Sequence, residues 1–216
     1  TKVASDFTKL DEQIAEANQV PQEVLNAVSE QTRNNFDNAL QAAEEARDNK
    51  SQRTVDVAAA NLERAILMLG FDGYTNDIEA GYAFVNFSDK KFSNLTAYKL
   101  NGSIVDDYND RRAAKVTDDG LYVGIAPRYM PADQKEAKLS LTYFDSKQDG
   151  QMHLKYTATG GEVKTAGTVT MSGSEAWKTF NTTVTDAEFT KAINGSFDIQ
   201  VELSGMTEGY VSQVIV

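Results

Sequence analysis

The spacing of apolar residues changes near Gly70, and this change divides the chain. Before Gly70 they recur at steps of three and four residues, the period of one helix face. From about Ala80 they form short stretches separated by Gly, Asn and Asp, which is typical of strands joined by turns. The pattern predicts an α+β protein with two separate domains: a three-helix bundle over residues 1–70, a linker over 71–79 and an antiparallel β-sandwich over 80–216.

The first domain contains three apolar stripes that predict helices. The predicted helices are Ser5–Asn18, Thr32–Asp48 and Ser51–Leu69. A short turn is predicted over residues 22–28, after Pro21. Thr32 and Ser51 suit the N-cap position because their hydroxyls can accept a hydrogen bond from the first turn. The connections are short, so neighbouring helices are expected to be antiparallel.

Two of these helices carry a recognisable order of residues. The third contains Val55-Asp56, Ala58, Leu62, Ala65-Ile66 and Leu69, and the second contains Phe36, Ala39-Leu40 and Ala43. Over residues 7–69 the chain resembles FIVAR domains, which are three-helix units of bacterial surface and secreted proteins. It departs from them at Arg33, where the family usually has Trp. The resemblance implies a spacer or docking module.

The second domain is predicted to be built from short strands. They are Tyr82–Phe87, Leu95–Leu100, Ala113–Val116, Leu121–Ile125, Ala137–Phe144, Gln151–Thr157, Val163–Met171, Trp177–Val184, Ser196–Leu203 and Tyr210–Val216. Asp118-Asp119 precedes Gly120 and predicts a turn, and residues 186–193 predict a short loop or helical turn. Many short strands with frequent turn signals favour an antiparallel sandwich or jelly roll.

Several short motifs follow one another along this domain. They are Leu141-Thr142-Tyr143-Phe144-Asp145, Leu154-Lys155-Tyr156, Trp177-Lys178-Thr179, Asp186-Ala187-x-Phe189 and Phe197-Asp198-Ile199. In this order they resemble the galactose-binding-like jelly rolls appended to bacterial glycoside hydrolases, although the last motif is Phe-Asp rather than Asp-Phe. The resemblance covers about residues 80–216. It implies a jelly roll that binds glycan or supports a neighbouring catalytic domain.

Composition excludes several classes of function. The net charge of −11 is spread over both halves, which disfavours nucleic acid and anionic membrane surfaces as partners. The absence of cysteine excludes disulfides, thiolate catalysis and Cys-ligated zinc. The longest apolar stretch, Ala65–Leu69, is five residues, so we predict no membrane span. The chain begins at Thr1 without Met, and we expect it to be an excised fragment.

The sequence contains few residues or motifs suited to catalysis. The single histidine, His153, alternates with Met152, Leu154 and Tyr156, so we expect it on the opposite, solvent-facing side of a strand. No Gly-x-Ser-x-Gly nucleophile motif is present. We predict that this chain is not an enzyme. The remaining catalytic hypothesis is a small hydrolase that uses loop carboxylates, and it would require measurable turnover.

Two segments combine an aromatic ring with arginine, as sugar-binding surfaces do. The first is the Pro-bounded loop 127–131, where Arg128 and Tyr129 are the predicted ligand contacts. The second is the segment 108–112, where Tyr108 and Arg111 are the predicted contacts. Trp177 opens a strand and is expected to pack in the core.

Asp106, Asp107 and Asp110 form the densest acidic cluster. Carboxylates are the ligands that Ca²⁺ prefers, so these residues are candidates for a structural calcium site. The alternative is that they are solvated loop acids.

These observations favour a non-catalytic pair of modules from a secreted or cell-wall-associated bacterial carbohydrate-active protein. The expected partners are a weakly bound glycan and neighbouring domains of the parent chain. The main alternative is a pair of structural or protein–protein interaction modules of a surface adhesin. Flanking sequence would distinguish the two, because a hydrolase domain indicates the first and adhesin repeats the second.

Overall fold

The computed structural model describes residues 4–48 and 51–216. The chain divides into two compact units, Thr1–Gly73 and Tyr74–Val216. The division falls inside the segment 71–79 that the sequence predicts as a linker.

The N-terminal unit is helical. Its helices, among the described residues, are α1 Thr8–Asn18, α2 Gln22–Ala27, α3 Glu30–Ala46 and α4 Gln52–Leu69. Residues 22–28, predicted as a short turn, therefore contain a helix of their own. The predicted cap of the next helix is also wrong: Ser29 is the N-cap of α3, and its side-chain oxygen accepts a hydrogen bond from the Thr32 backbone N–H at 3.3 Å. The Ser29 cap adds one further turn at the start of α3.

The apolar stripes of α1, α3 and α4 form the core of this unit, as their spacing predicts. Leu10 and Leu62 are fully buried, and Ile14, Phe36 and Val55 are nearly so. No helix among the described residues is both long and apolar enough to cross a membrane.

The C-terminal unit is built from strands. They are β1 Thr75–Asn76, β2 Phe84–Asn86, β3 Lys91–Ser93, β4 Leu95–Tyr108, β5 Arg111–Ile125, β6 Ala137–Asp145, β7 Gln151–Thr157, β8 Val163–Thr170, β9 Ala176–Val184, β10 Ile199–Ser204 and β11 Glu208–Ile215. All described pairings are antiparallel except that of β1 with β3. The predicted linker is thus partly strand, because Thr75 and Asn76 pair with Lys91 and Phe92.

The strands form two layers of a β-sandwich that share the long β4–β5 hairpin. Sheet A runs β9–β6–β11 and continues into the Arg111–Thr117 part of β5, and sheet B runs β8–β7–β10 and continues into the Leu121–Val123 part of β5. β2 and β3 extend sheet A beside the end of β11. Phe180 of β9 lies next to Gly167 of β8, which brings the free edges of the two sheets together.

The hairpin passes from one sheet to the other at a bulge. Its register shifts after Leu100, and residues 117–120 of β5 form the longer side of the bulge. Asp118 and Gly120 have φ values of 51° and 104°, which bend the strand there. The predicted turn at Asp118-Asp119 is therefore a bend inside one strand, and the two strands predicted around it are one.

A buried carboxylate fastens the end of β6 to the chain before β9. Asp145 is fully buried and accepts hydrogen bonds from the Ser172 N–H at 2.6 Å, the Ser174 N–H at 3.1 Å and the Lys178 ammonium at 2.7 Å. Burial alone would raise the pKa of this carboxyl, but the bonds from Lys178, Ser172 and Ser174 outweigh burial and hold the pKa well below its usual range. Asp145 is therefore ionised and structural.

Candidate functional site

Aromatic side chains collect on the outer face of sheet A. Trp177 of β9 and Phe144 of β6 are directly paired, so they point to the same side of the sheet. Their ring centroids are 5.4 Å apart at an interplanar angle of 69°. Leu141 and Tyr143, on alternate positions of β6 with Phe144 and Thr142, face the sandwich interior. Tyr210 of β11 completes the row on the outer face.

The tip of the β4–β5 hairpin covers part of this row. Asn109 and Asp110 both have left-handed backbones, with φ values of 48° and 66°, and form a two-residue turn between Tyr108 and Arg111. Tyr108 stacks on Tyr210 and meets Phe144 edge-on with centroids 5.0 Å apart. The Asn109 carbonyl accepts a hydrogen bond from the Trp177 indole N–H at 3.0 Å. The tip is therefore held against the sheet.

Arg111 adds a hydrogen-bond donor to the row. Its guanidinium lies over the Trp177 ring, 5.1 Å from the centroid, and its Nη1 lies 3.5 Å from the Ser212 hydroxyl. Arg111 is exposed, and Trp177 and Tyr108 are half-buried. We call Tyr108, Arg111, Phe144, Trp177 and Tyr210 the aromatic cluster.

The hydroxyl groups of the cluster are uncharged near neutral pH. Burial raises the pKa of Tyr108, and the negative charges of Glu208 and Glu175 raise it further. Burial and Glu208 likewise raise the pKa of Tyr210. Both phenols therefore remain neutral hydrogen-bonding groups.

A band of uncharged polar side chains continues from the cluster along the same face. Gln213, Thr142 and Thr179 are paired across β11, β6 and β9, and the two threonine hydroxyls are 3.0 Å apart. Ser140 and Asn181 form the next pair, and Lys138 and Thr183 the one after it. We call Ser140, Thr142, Thr179, Asn181 and Gln213 the polar strip.

The strip ends at a cleft with a volume of about 480 Å³. The side chains that line it include Tyr82, Tyr129, Met130, Glu136 and Lys138, and we call it the tyrosine cleft. The Tyr129 hydroxyl donates to the Val216 carbonyl at 2.5 Å, which fixes the ring in place. Burial raises the pKa of Tyr129, so this phenol also stays protonated. Tyr82 is 44% exposed and packs on Phe84.

The structure thus separates the four residues that the sequence predicts as ligand contacts. Tyr108 and Arg111 belong to the aromatic cluster, and Tyr129 belongs to the tyrosine cleft at the other end of the face. Arg128 is exposed on the short 3₁₀ turn Pro127–Tyr129 and does not line that cleft. The prediction that Trp177 packs in the core is wrong, because its ring lies on the outer face of sheet A.

Phe144, Tyr210 and Tyr82 were not among the predicted contacts. One signal for Phe144 is present in the sequence: Tyr143 and Phe144 are consecutive in a strand, so one of the two rings must point away from the core. For Tyr82 and Tyr210 we find no comparable signal, because their roles depend on pairings distant in sequence.

The three aspartates proposed as calcium ligands do not converge. Asp106 pairs with Arg112 at 3.4 Å and is otherwise exposed, and Asp107 accepts a hydrogen bond from the Asp110 backbone N–H at 3.2 Å. No group of three or more acidic or histidine side chains suited to a metal occurs in the part of the chain that the structure describes. Asp107 and Asp110 shape the hairpin turn beside the aromatic cluster.

His153 lies on the outer face of the other sheet, away from the apolar residues it alternates with. Its Nδ1 lies 2.8 Å from the Thr168 hydroxyl and its Nε2 lies 2.7 Å from the Ser204 hydroxyl. Met152, Leu154 and Tyr156 are buried, as the alternation predicts. Because both ring nitrogens are engaged by neutral hydroxyls of neighbouring strands, His153 acts as a cross-strand bridge.

Comparison with solved structures returns carbohydrate-binding modules. A xylan-binding domain from Paenibacillus barcinonensis matches at 8% sequence identity over 66% of this chain and 95% of that one, with a TM-score of 0.41. A family 6 carbohydrate-binding module matches at 13% identity over 62% and 92%, with a TM-score of 0.38. The module TmCBM61, solved with β-1,4-galactotriose, matches at 16% identity over 55% and 87%, with a TM-score of 0.38. No family model matches the chain, and no curated protein does.

Proposed function

We propose that the C-terminal unit is a non-catalytic module that binds a neutral glycan at the aromatic cluster. One observation carries the proposal: the single tryptophan of the chain is held half-buried on the outer face of a sheet, beside an exposed guanidinium. An indole placed this way can cover the apolar C–H face of a pyranose. Arg111 and the neutral phenols can then hydrogen-bond to the sugar hydroxyls.

Charge favours a neutral ligand over an acidic one. The chain has a net charge of −11, which repels carboxylates and sulfates. Lys115, which lies opposite Tyr210 in the sheet, is compensated by Glu208 at 2.7 Å. The surface is open and shallow, so the dissociation constant for a single site is expected on the order of 0.1–1 mM.

The proposal is tested by isothermal titration calorimetry of the full chain against a panel of neutral and acidic oligosaccharides. Trp177→Ala is compared with His153→Ala, which removes a half-buried ring from the outer face of sheet B and serves as the matched control. We expect Trp177→Ala to abolish binding and His153→Ala to leave it unchanged. Binding that survives Trp177→Ala, or an intact chain that binds no glycan even at millimolar concentration, would overturn the proposal.

We further propose that the helical unit is a FIVAR-like spacer or docking module, and that the pair belongs to a secreted or wall-associated bacterial carbohydrate-active protein. The order of residues in α3 and α4 supports the first part, and the resemblance of the second domain to modules of glycoside hydrolases supports the second. An assay of the purified chain for glycan hydrolysis tests the non-catalytic assignment, and sustained turnover would contradict it.

A further inference from the structure

We propose that the outer face of sheet A binds one extended, neutral oligosaccharide, which lies along β6 and contacts the aromatic cluster at one end and the tyrosine cleft at the other. This rests on the glycan binding proposed above and adds the class of ligand: a linear chain bound along its length, in contrast to a single sugar or a chain end.

The register of the strands places both ends on one face. β6 pairs with β9 without interruption from Ala137 to Asp145, so alternate residues of β6 point the same way along the whole strand. Phe144 belongs to the aromatic cluster, and Lys138, on the same face, lines the tyrosine cleft. Phe144 and Lys138 are six positions apart along β6, which corresponds to about 20 Å at the rise of an antiparallel strand.

The side chains between the two ends suit a polyhydroxyl ligand. Every member of the polar strip is uncharged and carries a hydroxyl or an amide, and each of these groups can both donate and accept. Thr179 and Asn181 are exposed, whereas Thr142 and Ser140 lie deeper on the neighbouring strand. A neutral sugar chain can satisfy such groups without the cost of leaving a charge unpaired.

The tyrosine cleft supplies a second aromatic contact. Tyr82 presents an exposed ring, and Tyr129 is held by its bond to the Val216 carbonyl. Lys138 and Glu136 add polar groups to the same cleft. The two ends therefore repeat one chemistry, an aromatic ring next to a cationic side chain, with Arg111 at the first end and Lys138 at the second.

The distance between the aromatic cluster and the tyrosine cleft determines which ligands can contact both. A disaccharide is much shorter than the face and reaches one end only. A hexasaccharide that contacts one end holds its remainder close to the other, so the second contact forms at a high effective concentration. Affinity is therefore expected to rise steeply with chain length.

The test is a calorimetric titration of the full chain with disaccharides, tetrasaccharides and hexasaccharides of the xylan, cellulose and mannan series. We expect the hexasaccharide of at least one series to bind at a ratio of one to one and at least about tenfold more tightly than its disaccharide. Tyr82→Ala should remove this gain and bring the hexasaccharide affinity down to about that of the disaccharide for the unmodified chain. Lys138→Ala is a second variant at the same cleft, in case the loss of the Tyr82 ring disturbs Phe84.

Ile78→Ala is the matched control for Tyr82→Ala, because Ile78 is 79% exposed in the same unit and does not line the cleft. If hexasaccharide and disaccharide bind equally tightly while Trp177→Ala still abolishes binding, the extended site is wrong and the aromatic cluster alone is the binding site. Two hexasaccharides bound per chain, each lost separately in Trp177→Ala and Tyr82→Ala, would show two independent sites and would also overturn the inference. Absence of binding by every probe would overturn the proposed function itself.

Discussion

Tyr108 lies flat on Tyr210, with ring centroids 3.5 Å apart and ring planes 7° apart. The first residue belongs to the tip of the β4–β5 hairpin and the second to β11, a central strand of sheet A. This contact therefore joins the hairpin tip to the sheet and helps to position Arg111 over Trp177. The proposed binding surface depends on a contact between residues 102 positions apart in the sequence.

We expect Tyr108→Ala to lower the free energy of unfolding by about 1–2 kcal/mol, because it removes the stacking on Tyr210 and the edge contact with Phe144. It should also weaken glycan binding, since the hairpin tip that carries Arg111 is released. Tyr108→Phe keeps both ring contacts and should leave stability nearly unchanged. Urea denaturation of the two variants checks this, and equal losses would show that the phenol hydroxyl, not the stacking, holds the tip.

Leu62 tests the core of the helical unit. It is fully buried among the stripes of α1, α3 and α4, and Leu62→Ala should cost about 2–5 kcal/mol through lost burial and the cavity left behind. Val57→Ala is the control on the same helix, because Val57 is 52% exposed. Thermal unfolding followed by circular dichroism in the helical region gives both values. A loss of less than about 0.5 kcal/mol for Leu62→Ala would mean that the stripe does not form a core.

Gly120 tests the bend that carries β5 from one sheet to the other. A methyl group there would lie 1.6 Å from the Val201 carbonyl oxygen, and its φ of 104° is unfavourable for any other residue. Gly120→Ala should therefore cost at least about 3 kcal/mol. Gly195→Ala isolates the backbone contribution, because Gly195 also has a positive φ, 75°, but has open space around it. If the two variants unfold at the same denaturant concentration, the close approach to β10 is not present in solution.

We expect the C-terminal unit to lose stability at acid pH because of Asp145. Its native pKa lies below the ordinary value of 3.8, so the native state holds this carboxylate ionised where the unfolded chain takes up a proton. Its stabilisation is therefore complete above about pH 5 and is lost progressively as pH falls through 3.8 toward the native pKa. Asp145→Asn should lower stability at pH 7 by about 2–4 kcal/mol, and the difference from the natural chain should shrink at acid pH. Urea midpoints measured across this pH range check the sign, and a constant difference would contradict it.

Local patterns in the sequence predicted the elements better than they predicted the site. The stripes of Leu10, Phe36 and Leu62 and the alternation around His153 gave the correct buried faces, because each depends on residues a few positions apart. Thr32 was mistaken for a helix cap because Ser29, three residues earlier, competes for the same role. Either residue type is compatible with the position, and only the backbone geometry decides between them.

The residues of the candidate site could not be identified from local sequence patterns, because strand pairing and register decide which side chains meet. Trp177 is on the outside because Phe144 and Tyr210 form a row there and the tip of the hairpin closes over them. A strand that begins with Trp offers no means of telling which face the ring occupies until its partner and register are known. The acidic segment shows the same dependence: Asp107 and Asp110 lie at the turn between β4 and β5, whereas the sequence predicts a shorter strand, Leu95–Leu100, that ends before them.

The most direct test of glycan binding at the aromatic cluster uses the fluorescence of Trp177, because it is the only tryptophan in the chain. The full chain is titrated with the neutral hexasaccharide that gives the largest heat, and tryptophan emission is followed. We expect a saturable change, with a shift to shorter wavelength as the sugar excludes water from the indole, and the same dissociation constant as calorimetry gives. Heat of binding with no change in Trp177 emission would place the ligand elsewhere and contradict the account.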